Sequence, residues 1–299
     1  MHWKIGVDGG GTKTECILVD PSGAVAARHT GPGCSPSLVG SARAKEIASE
    51  VLEAVQARHP EAAVSATLLC MAGSRAFWRE FGAELIGFGR VTTGDDSLPV
   101  LELATGGGPG LVLHAGTGSF VAARTADKVV HYAGGIGWRF GDEGSGYDLG
   151  RRAIARALLE LQGWAPPSGL AALVRERTGQ STAGAVAGYF YGDPATNNGV
   201  AALAPDVLRL AAGGDAAAGE AVLASVGGLL ALAVSVAAKL FPGERPDTLR
   251  AGVSGHILNH PFAFGALSSR SPFPLRPVTE PPIEGVRLLL LRDPGPQPP

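Results

Sequence analysis

The chain has 299 residues, of which 45% are hydrophobic and 17% charged, and its formal net charge is -2. This composition excludes an intrinsically disordered protein and a general nucleic-acid binder, which would carry a strongly basic surface. At ~100–200 residues per domain, the length predicts two domains with room for a cleft between them.

The cysteines and the first residues predict a protein of the reducing cytoplasm. Cys16, Cys34 and Cys70 are far apart and outside any CxxC spacing, so we expect neither a disulfide framework nor a structural zinc site. Residues 1–10 lack a basic segment followed by an apolar stretch of signal-peptide length. We therefore expect cytoplasmic localisation without an export signal.

Strands and helices alternate along the first third of the chain. Three strands separated by turns predict a β-meander, at 3–8, 16–20 and 24–30. Apolar residues spaced by three and four positions between Ala44 and Val55 then predict an amphipathic helix with Ser41 as its cap. Further strands and a helix continue the alternation, which is typical of parallel strands joined by helices, at 64–71, 90–93 and 97–104.

The same order of elements recurs after a glycine-rich boundary at 106–110. A second meander is predicted at 111–115, 118–124 and 129–133, followed by a mainly helical region and a short strand at 247–251. We therefore predict two similar α/β domains, at 1–108 and 109–282. The segment 283–299 is expected to pack back on the first domain and to end in a loose, proline-rich tail at 293–299.

One uncharged segment, Ala221–Ala238, is long enough to span a bilayer. Its alanine, glycine and serine content makes it weakly hydrophobic, and it includes the pair Gly227 and Gly228. We expect a buried helix in a large core rather than a membrane span.

The strongest local motif is DGGGTKT at 8–14, between two predicted strands. Its glycines allow backbone N–H groups to surround phosphate oxygens, while the residues after them add hydroxyl groups and a positive charge. These candidate phosphate-binding residues are Gly9, Gly10, Gly11, Thr12, Lys13 and Thr14. Asp8 is a candidate to hold Mg²⁺ through water. The alternative is a hairpin turn that requires only positive φ.

A second turn, formed by Gly116, Thr117, Gly118 and Ser119, follows the apolar strand at 111–114 and repeats this chemistry. One glycine-rich turn in each domain is the arrangement expected of a clamp on a polyphosphate. His256 and His260 stand four residues apart, but two histidines without a third ligand do not predict a metal site.

Four motifs in order carry a family resemblance, DGGGTKT at 8–14, HAGTGS at 114–119, GDEGSGYDLGRR at 141–152 and AGVSG at 251–255. Together they resemble the BadF/BadG-type ATPase family, whose members include N-acetylglucosamine and glucosamine kinases. The resemblance implies an α/β fold with two ribonuclease-H-like, actin-type domains flanking an ATP-binding cleft. ATP and Mg²⁺ are the implied cofactors, with the β- and γ-phosphates at the two glycine turns and the adenosine near Gly252 and Gly255.

The resemblance also implies a sugar acceptor and a catalytic aspartate. Asp96 matches the family's catalytic base, Asp95 is its rival, and a helix cap is the alternative role for both. Asp142 matches an aspartate that binds sugar hydroxyls, and it is expected to open a helix, where capping is again the alternative. The candidate sugar-binding residues are Ser35, Asp96, Ser119, Trp138 and Asp142.

Three positions depart from the family pattern. Ser35 replaces the asparagine expected before a proline, Ile136 replaces a tryptophan, and Ala251 replaces the first of two adjacent glycines. The first two departures predict a changed sugar preference, and the third puts the adenosine contacts in doubt. Trp138 either stacks on the sugar or fills the cleft wall.

Three functions from different classes follow. The leading prediction is an ATP-dependent kinase of a small amino sugar, with no nucleic-acid or membrane partner; the sequence leaves the oligomeric state undecided, and a homodimer stays open. The second is an activator of acyl-CoA dehydratases, which would need cysteine thiolates for a shared iron–sulfur cluster. The third is a non-catalytic sugar-sensing module of the same fold.

Overall fold

The computed structural model describes residues 2–192 and 196–292. The chain divides into two compact units. The first combines the chain up to Gly107 with the segment that begins at Glu280, and the second comprises Gly108–Thr279.

The first unit is built on a five-stranded mixed sheet. Its strands are β1 (Trp3–Gly9), β2 (Lys13–Val19), β3 (Val25–Pro32), β4 (Val64–Met71) and β5 (Arg90–Asp95). The order is β3-β2-β1-β4-β5, with the first three strands antiparallel and with β4 and β5 parallel to β1. Asp8, Cys70 and Gly94 are aligned across β1, β4 and β5, so the residues that follow these strands share one edge of the sheet.

Helices cover this sheet because their apolar residues recur at helical spacing. They are α1 (Pro36–Val39), α2 (Ser41–Gln56), α3 (Arg75–Glu84) and α4 (Ser97–Thr105). The buried face of α2 packs with strand residues such as Ile5 and Leu18 in one core cluster. The expectation that Ser41 caps α2 is wrong, because Gly40 holds the N-cap position and Ser41 is already helical.

The second unit repeats the topology of the first. Its strands are β6 (Gly110–Ala115), β7 (Ser119–Arg124), β8 (Val130–Gly134), β9 (Ala251–Ser254) and β10 (Leu275–Pro277). They are ordered β10-β9-β6-β7-β8, again with three antiparallel strands and two parallel ones. The predicted α/β fold with two ribonuclease-H-like units is therefore confirmed.

The predicted strand at 247–251 is wrong in its position. Pro246–Thr248 forms a short 3₁₀ turn, and β9 begins only at Ala251, where its pairing with β6 starts opposite Leu111. Proline fixes its own φ and lacks the N–H group that a strand would use, so the chain turns before it can pair.

The helices of the second unit enclose a core with Leu113, Leu149 and Val222. They are α5 (Gly146–Leu161), α6 (Gly169–Thr178), α7 (Ala183–Gly192), α8 (Thr196–Ala202), α9 (Ala204–Ala212), α10 (Ala216–Leu240) and α11 (Pro261–Ser268). Helix α10 contains the apolar segment discussed above. Among the described residues it is the helix that is long and apolar enough to cross a membrane, with a mean hydropathy of 2.2 over an 18-residue window of which 39% is buried. Its buried face, which includes Val226 and Leu229, belongs to the core of this unit.

The last helix, α12 (Pro282–Arg292), belongs to the first unit. Val286 and Leu290 pack against β1 at Gly6, where a Cβ atom would stand 2.7 Å from Val286. Gly285 packs equally closely on α4, since a Cβ there would lie 2.1 Å from the carbonyl oxygen of Pro99. The predicted loose tail at 293–299 lies outside the described residues.

Candidate functional site

The first glycine turn joins β1 to β2 and is closed by a hydrogen bond from Gly10 N–H to Lys13 O, 3.0 Å long. Gly11, Thr12 and Lys13 are exposed, whereas Thr14 is fully buried. A Cβ atom on Gly10 would find its nearest neighbour at 3.6 Å, which is ordinary contact. The protein's own packing therefore does not require glycine at position 10.

The loop after β3 supports this turn from behind. Cys34 N–H donates to Gly10 O at 3.0 Å, and a Cβ atom on Gly33 would lie 2.1 Å from Gly11 O. Gly9 is also confined, because a Cβ there would stand 2.5 Å from Met71 and 2.8 Å from the sulfur of Cys34. Glycine at positions 9 and 33 is thus a packing requirement of this unit.

Two polar side chains of the first turn already have partners within the protein. Thr14 donates its hydroxyl proton to Pro32 O at 2.7 Å, so that proton is not available to a phosphate oxygen in this arrangement. The ammonium group of Lys13 forms an ion pair with Glu15, although the Lys13 side chain is 53% exposed. Lys13 is long enough to exchange this partner for an anion at the turn.

Asp8 and Asp96 interact at the edge where β1 and β5 end. Burial, the charge of Asp96 and that of Glu15 raise the pKa of Asp8 to about 7, while Lys13 opposes the shift. Burial and the neighbouring Asp95 raise the pKa of Asp96, which the backbone N–H groups of Asp96 and Ser97 partly offset. A site that keeps two carboxylates close together in a low-dielectric environment favours protonation or a bound cation.

Arg75 distinguishes the two candidate bases. Its guanidinium group binds Asp95, with 2.5 Å between Nε and Oδ1 and a second contact between Nη2 and Oδ2. Asp96 occupies the N-cap position of α4 but makes no capping hydrogen bond with its side chain. Asp96 therefore holds the N-cap position without a side-chain capping hydrogen bond, and Asp95 binds Arg75.

Ser35 lies in the same unit, at the start of α1. Its side chain is buried and its Oγ is 3.0 Å from Oγ of Ser37, while its carbonyl group accepts from Leu38 N–H. Leu38 is 66% exposed and lies against Gly11, where a Cβ atom would be 3.0 Å from it. Ser35 thus comes directly after Gly33 and Cys34, the two residues that contact the first turn.

The first unit fits a hydrated magnesium ion better than a cage of protein ligands. Among the described residues, no group of three or more His, Cys, Asp and Glu side chains is placed to hold a metal. Mg²⁺ usually keeps several waters and uses one or two carboxylates together with phosphate oxygens. The raised pKa of Asp8 beside Asp96 gives one carboxylate at which a divalent cation would relieve repulsion.

In the second unit, residues 142–147 wrap around the second glycine turn. Gly146 N–H donates to Gly116 O at 2.8 Å, Tyr147 N–H donates to Thr117 O at 3.4 Å, and Gly116 N–H itself donates to Gly118 O. Ser119 is buried and donates its hydroxyl proton to Glu143 O at 2.6 Å. Ser119 therefore fastens the turn, and that proton is not free for a ligand.

Asp142 lies directly against the second turn. A Cβ atom on Gly118 would stand 3.0 Å from Oδ2 of Asp142, whose other oxygen accepts from Gly137 N–H at 3.3 Å. Burial raises the pKa of Asp142, although the Gly137 N–H opposes the shift. Asp142 has a φ of 65°, a strained value for a residue other than glycine. The expectation that it opens a helix is wrong, because α5 begins at Gly146 with Ser145 as its cap.

Trp138 precedes Asp142 on the surface of the second unit. Its side chain is 40% exposed and its ring lies 4.8 Å from that of Tyr147, with Arg139 5.0 Å over it. An exposed indole held by a second ring and a cation is suited to stacking on a sugar. Within this unit Trp138 is not part of the described core cluster.

Asp148 holds the wrapping segment in place. It is almost fully buried and accepts hydrogen bonds from Gly144 N–H, Ser225 Oγ and Arg152 Nε, at 3.3, 2.7 and 3.0 Å. Burial alone would raise the pKa of Asp148, but the hydrogen bonds from Ser225 and Arg152 lower it overall. Asp148 therefore links α10 and α5 to the loop that contacts the second turn.

The segment after β9 also lies beside the second turn. Gly255 has a φ of 86°, and a Cβ there would lie 2.2 Å from Ala115 O, so only glycine fits. Gly252 lies within β9 opposite Val112, two residues before the strand ends. His256 and His260 do not share a helix, because His260 caps α11 with Nδ1 accepting from Phe262 N–H.

Sequence reasoning missed several residues that shape the two turns. Gly33 and Cys34 stand in the segment GPGCSP, whose two glycines were a usable signal of a close approach. Arg75 carried no such signal, because its partner Asp95 is 20 residues away in the chain. The bond from Ser225 to Asp148 carried none either, because it spans 77 residues.

A family model of the BadF/BadG/BcrA/BcrD ATPase family matches residues 5–260. An N-acetyl-D-glucosamine kinase from Dictyostelium discoideum is 29% identical over 189 residues, or 58% of this chain. The aligned region spans 59% of the length of that relative.

Solved structures match over nearly the full chain. The crystal structure of a candidate N-acetylglucosamine kinase from Chromobacterium violaceum is 29% identical, covers 97% of this chain and 99% of its own, and gives a TM-score of 0.77. A ROK family glucokinase from Streptomyces griseus, solved with glucose and AMPPNP, is 13% identical with a TM-score of 0.58 and coverages of 97% and 98%. The second likeness is one of fold alone.

Proposed function

Since this chain belongs to the BadF/BadG/BcrA/BcrD ATPase family, we propose that it is a cytoplasmic kinase that transfers the γ-phosphoryl group of ATP to a hydroxyl group of an amino sugar. N-acetylglucosamine and glucosamine are the proposed acceptors, and the 6-hydroxyl group is the one implied by the resemblance. The 29% identity to a candidate N-acetylglucosamine kinase over nearly the whole chain supports this choice.

The proposal rests on one observation, which is that two adjacent aspartates have different interaction partners. Arg75 neutralises Asp95, whereas Asp96 makes no side-chain capping hydrogen bond to α4 and does not share this ion pair. Asp96 also interacts with Asp8 at the sheet edge where β1 ends and the first glycine turn begins. A carboxylate with a raised pKa, placed near a phosphate-binding turn, is what a general base for a sugar hydroxyl requires.

The residues of the chain divide the reaction as follows. Asp96 accepts the proton of the acceptor hydroxyl group while that oxygen attacks the γ-phosphorus in line, the bond from the γ-phosphorus to the bridging oxygen breaks, and ADP leaves. Backbone N–H groups of Gly11 and Gly118, together with Lys13 and the hydroxyl groups of Thr12 and Thr117, bind phosphate oxygens. The N–H groups of Gly10 and Gly116 close the two turns by donating to Lys13 O and Gly118 O. Magnesium, when bound, would neutralise phosphate charge, and Asp8 would hold it through water.

Asp142, Trp138 and Ser35 are the proposed sugar contacts. The carboxylate of Asp142 accepts hydrogen bonds from sugar hydroxyl groups, and these are strengthened by its charge. The half-exposed ring of Trp138 offers an apolar face to the sugar ring. Gly252 and Gly255 line the proposed adenosine side, with Gly255 next to the second turn.

The activator alternative requires thiolates that can reach a shared cluster. Cys16, Cys34 and Cys70 are all fully buried, and burial raises the pKa of each thiol, which disfavours the thiolate. We therefore favour the kinase. A sugar-sensing module would bind sugar and ATP without turnover, so only a measurement of turnover distinguishes it from a kinase.

The test is release of ADP from ATP and Mg²⁺ over a panel of sugars. Turnover stimulated by N-acetylglucosamine or glucosamine, and abolished in Asp96→Asn with nucleotide binding kept, supports the kinase. Nucleotide and sugar binding without stimulated turnover would instead support the sensing module. A brown colour in protein purified without oxygen would support the activator.

A further inference from the structure

Two histidines lie beside Gly116 of the second glycine turn, whereas Asp142 lies against Gly118. A Cβ atom built on Gly116 would be 3.5 Å from Nε2 of His114 and 3.9 Å from Nδ1 of His256. The strands β6 and β9 are parallel and end together, with His114 aligned to Ser254. The positive φ of Gly255 then turns the chain over Ala115, which places His256 at the turn.

His114 is held in one orientation from two sides. Its Nδ1 shares a hydrogen bond of 2.8 Å with Oγ of Ser254, and its ring stacks on Phe120 with centroids 4.8 Å apart. Burial and the nearby His256 lower the pKa of His114 to about 4, so it is neutral at physiological pH. Nε2 of His114, the ring nitrogen not bonded to Ser254, is therefore directed at Gly116, and the ring that carries it is neutral and fixed in orientation.

His256 is the exposed member of the pair. The backbone around it is fixed, because Ile257 N–H donates to Ala115 O at 3.3 Å and Asn259 N–H donates to Gly255 O at 3.0 Å. Its exposed imidazole lies beside Gly116, and the next residue of the turn, Thr117, is itself exposed. No role in the proposed reaction has so far been given to this side chain.

We propose that His256 is a nucleotide contact, which donates a hydrogen bond from its imidazole to a phosphate oxygen held at the second glycine turn. This inference rests on the proposed function, in which that turn binds the polyphosphate of ATP. A neutral imidazole offers one N–H donor, but the hydrogen bond from the imidazolium, which carries both protons, to a phosphate is the stronger of the two.

The ionisable groups around His256 determine the pH dependence. His114 faces it from β6, and Asp142 lies against Gly118 of the same turn. Burial lowers the pKa of His256 in the nucleotide-free protein. A bound phosphate raises that pKa, so nucleotide affinity is greatest at low pH and declines as pH rises through the pKa of the complex.

The test is direct calorimetric binding of ADP at about pH 6 and about pH 8 to the wild type, His256→Gln and His256→Arg. We expect His256→Gln to bind roughly tenfold or more weakly at the lower pH and to lose part of the pH dependence of the wild type. His256→Arg should keep the affinity without that pH dependence. Titration of ADP itself is common to all three proteins and cancels in the comparison.

His131→Gln is the matched control, since His131 is an exposed histidine on β8 of the same unit. It should behave as the wild type. Equal affinities of the wild type and His256→Gln at both pH values, with sugar-stimulated turnover intact, would overturn the inference and leave the kinase standing. A wild-type protein that binds neither ADP nor ATP would contradict the proposed function, and the inference with it.

Discussion

Arg75 and Asp95 form an ion pair with two contacts at the end of β5, where Nε and Oδ1 are 2.5 Å apart. Arg75 is the first residue of α3, whose cap Ser74 accepts from Phe77 N–H, so the guanidinium group is presented by an ordered helix start. The pair occupies one of two adjacent carboxylates, and Asp96 lies outside it.

The first prediction concerns these two aspartates. Asp96→Asn should lower kcat for the sugar by at least about 100-fold, because general base catalysis of this kind is worth roughly that much or more. Asp95→Asn should keep kcat within about tenfold, since it removes a partly exposed ion pair of small energetic value. Steady-state ADP release measures both. A folded Asp95→Asn protein as inactive as Asp96→Asn would contradict the assignment of the base.

The second prediction is a pH dependence of stability that arises from Asp8. Its pKa in the folded chain, about 7, lies above the ordinary value of 3.8, so ionisation costs the folded state free energy. The contribution of Asp8 to the free energy of unfolding therefore falls as pH rises from about 4 to about 7 and is constant above that range. We measure the free energy of unfolding in urea without nucleotide or Mg²⁺. The advantage of Asp8→Asn over the wild type should grow by up to about 3 kcal/mol from pH 5 to pH 8. Parallel pH profiles for the two proteins would show that Asp8 is not perturbed.

The third prediction separates glycines that serve packing from glycines that serve a ligand. Gly33→Ala should destabilise the protein by about 2 kcal/mol or more, because its Cβ would lie 2.1 Å from Gly11 O. Gly10→Ala should leave stability unchanged, since its Cβ finds only ordinary contact at 3.6 Å, yet it should weaken ATP binding at the turn. Unfolding curves and nucleotide titrations measure the two effects. Gly10→Ala with normal ATP affinity would argue against phosphate binding there.

The fourth prediction uses two adjacent glycines of α10. A Cβ on Gly227 meets nothing within 4 Å, so Gly227→Ala should stabilise the helix by about 1 kcal/mol. A Cβ on Gly228 would stand 2.7 Å from Oε2 and 3.2 Å from Cβ of Glu143. Gly228→Ala should therefore displace Glu143 from Arg152 and be less stable than Gly227→Ala by about 1 kcal/mol. Equal unfolding free energies would mean that Glu143 moves without cost.

Much of the fold could be predicted because it rests on local patterns. The strands around the first turn, the amphipathic α2 and the start of α4 at Ser97 follow from residue spacing, and the structure has them at those places. One error occurred where contacts, and not the local residue pattern, decide the conformation. Asp142 was expected to open a helix, but contacts with Gly137 and Gly118 hold it at a positive φ before α5 begins.

The candidate site shows the same division. The amino-acid order alone determined that a glycine turn with flanking hydroxyl groups occurs twice, the first time with the ammonium group of Lys13, because turn chemistry depends on neighbouring residues. Only the tertiary structure decided that Thr14 and Ser119 donate their protons to Pro32 and Glu143, that Arg75 occupies Asp95, and that His256 reaches Gly116. Hydrogen bonds and ion pairs act over a few ångströms, so which polar groups remain for a ligand depends on packing that brings distant segments together.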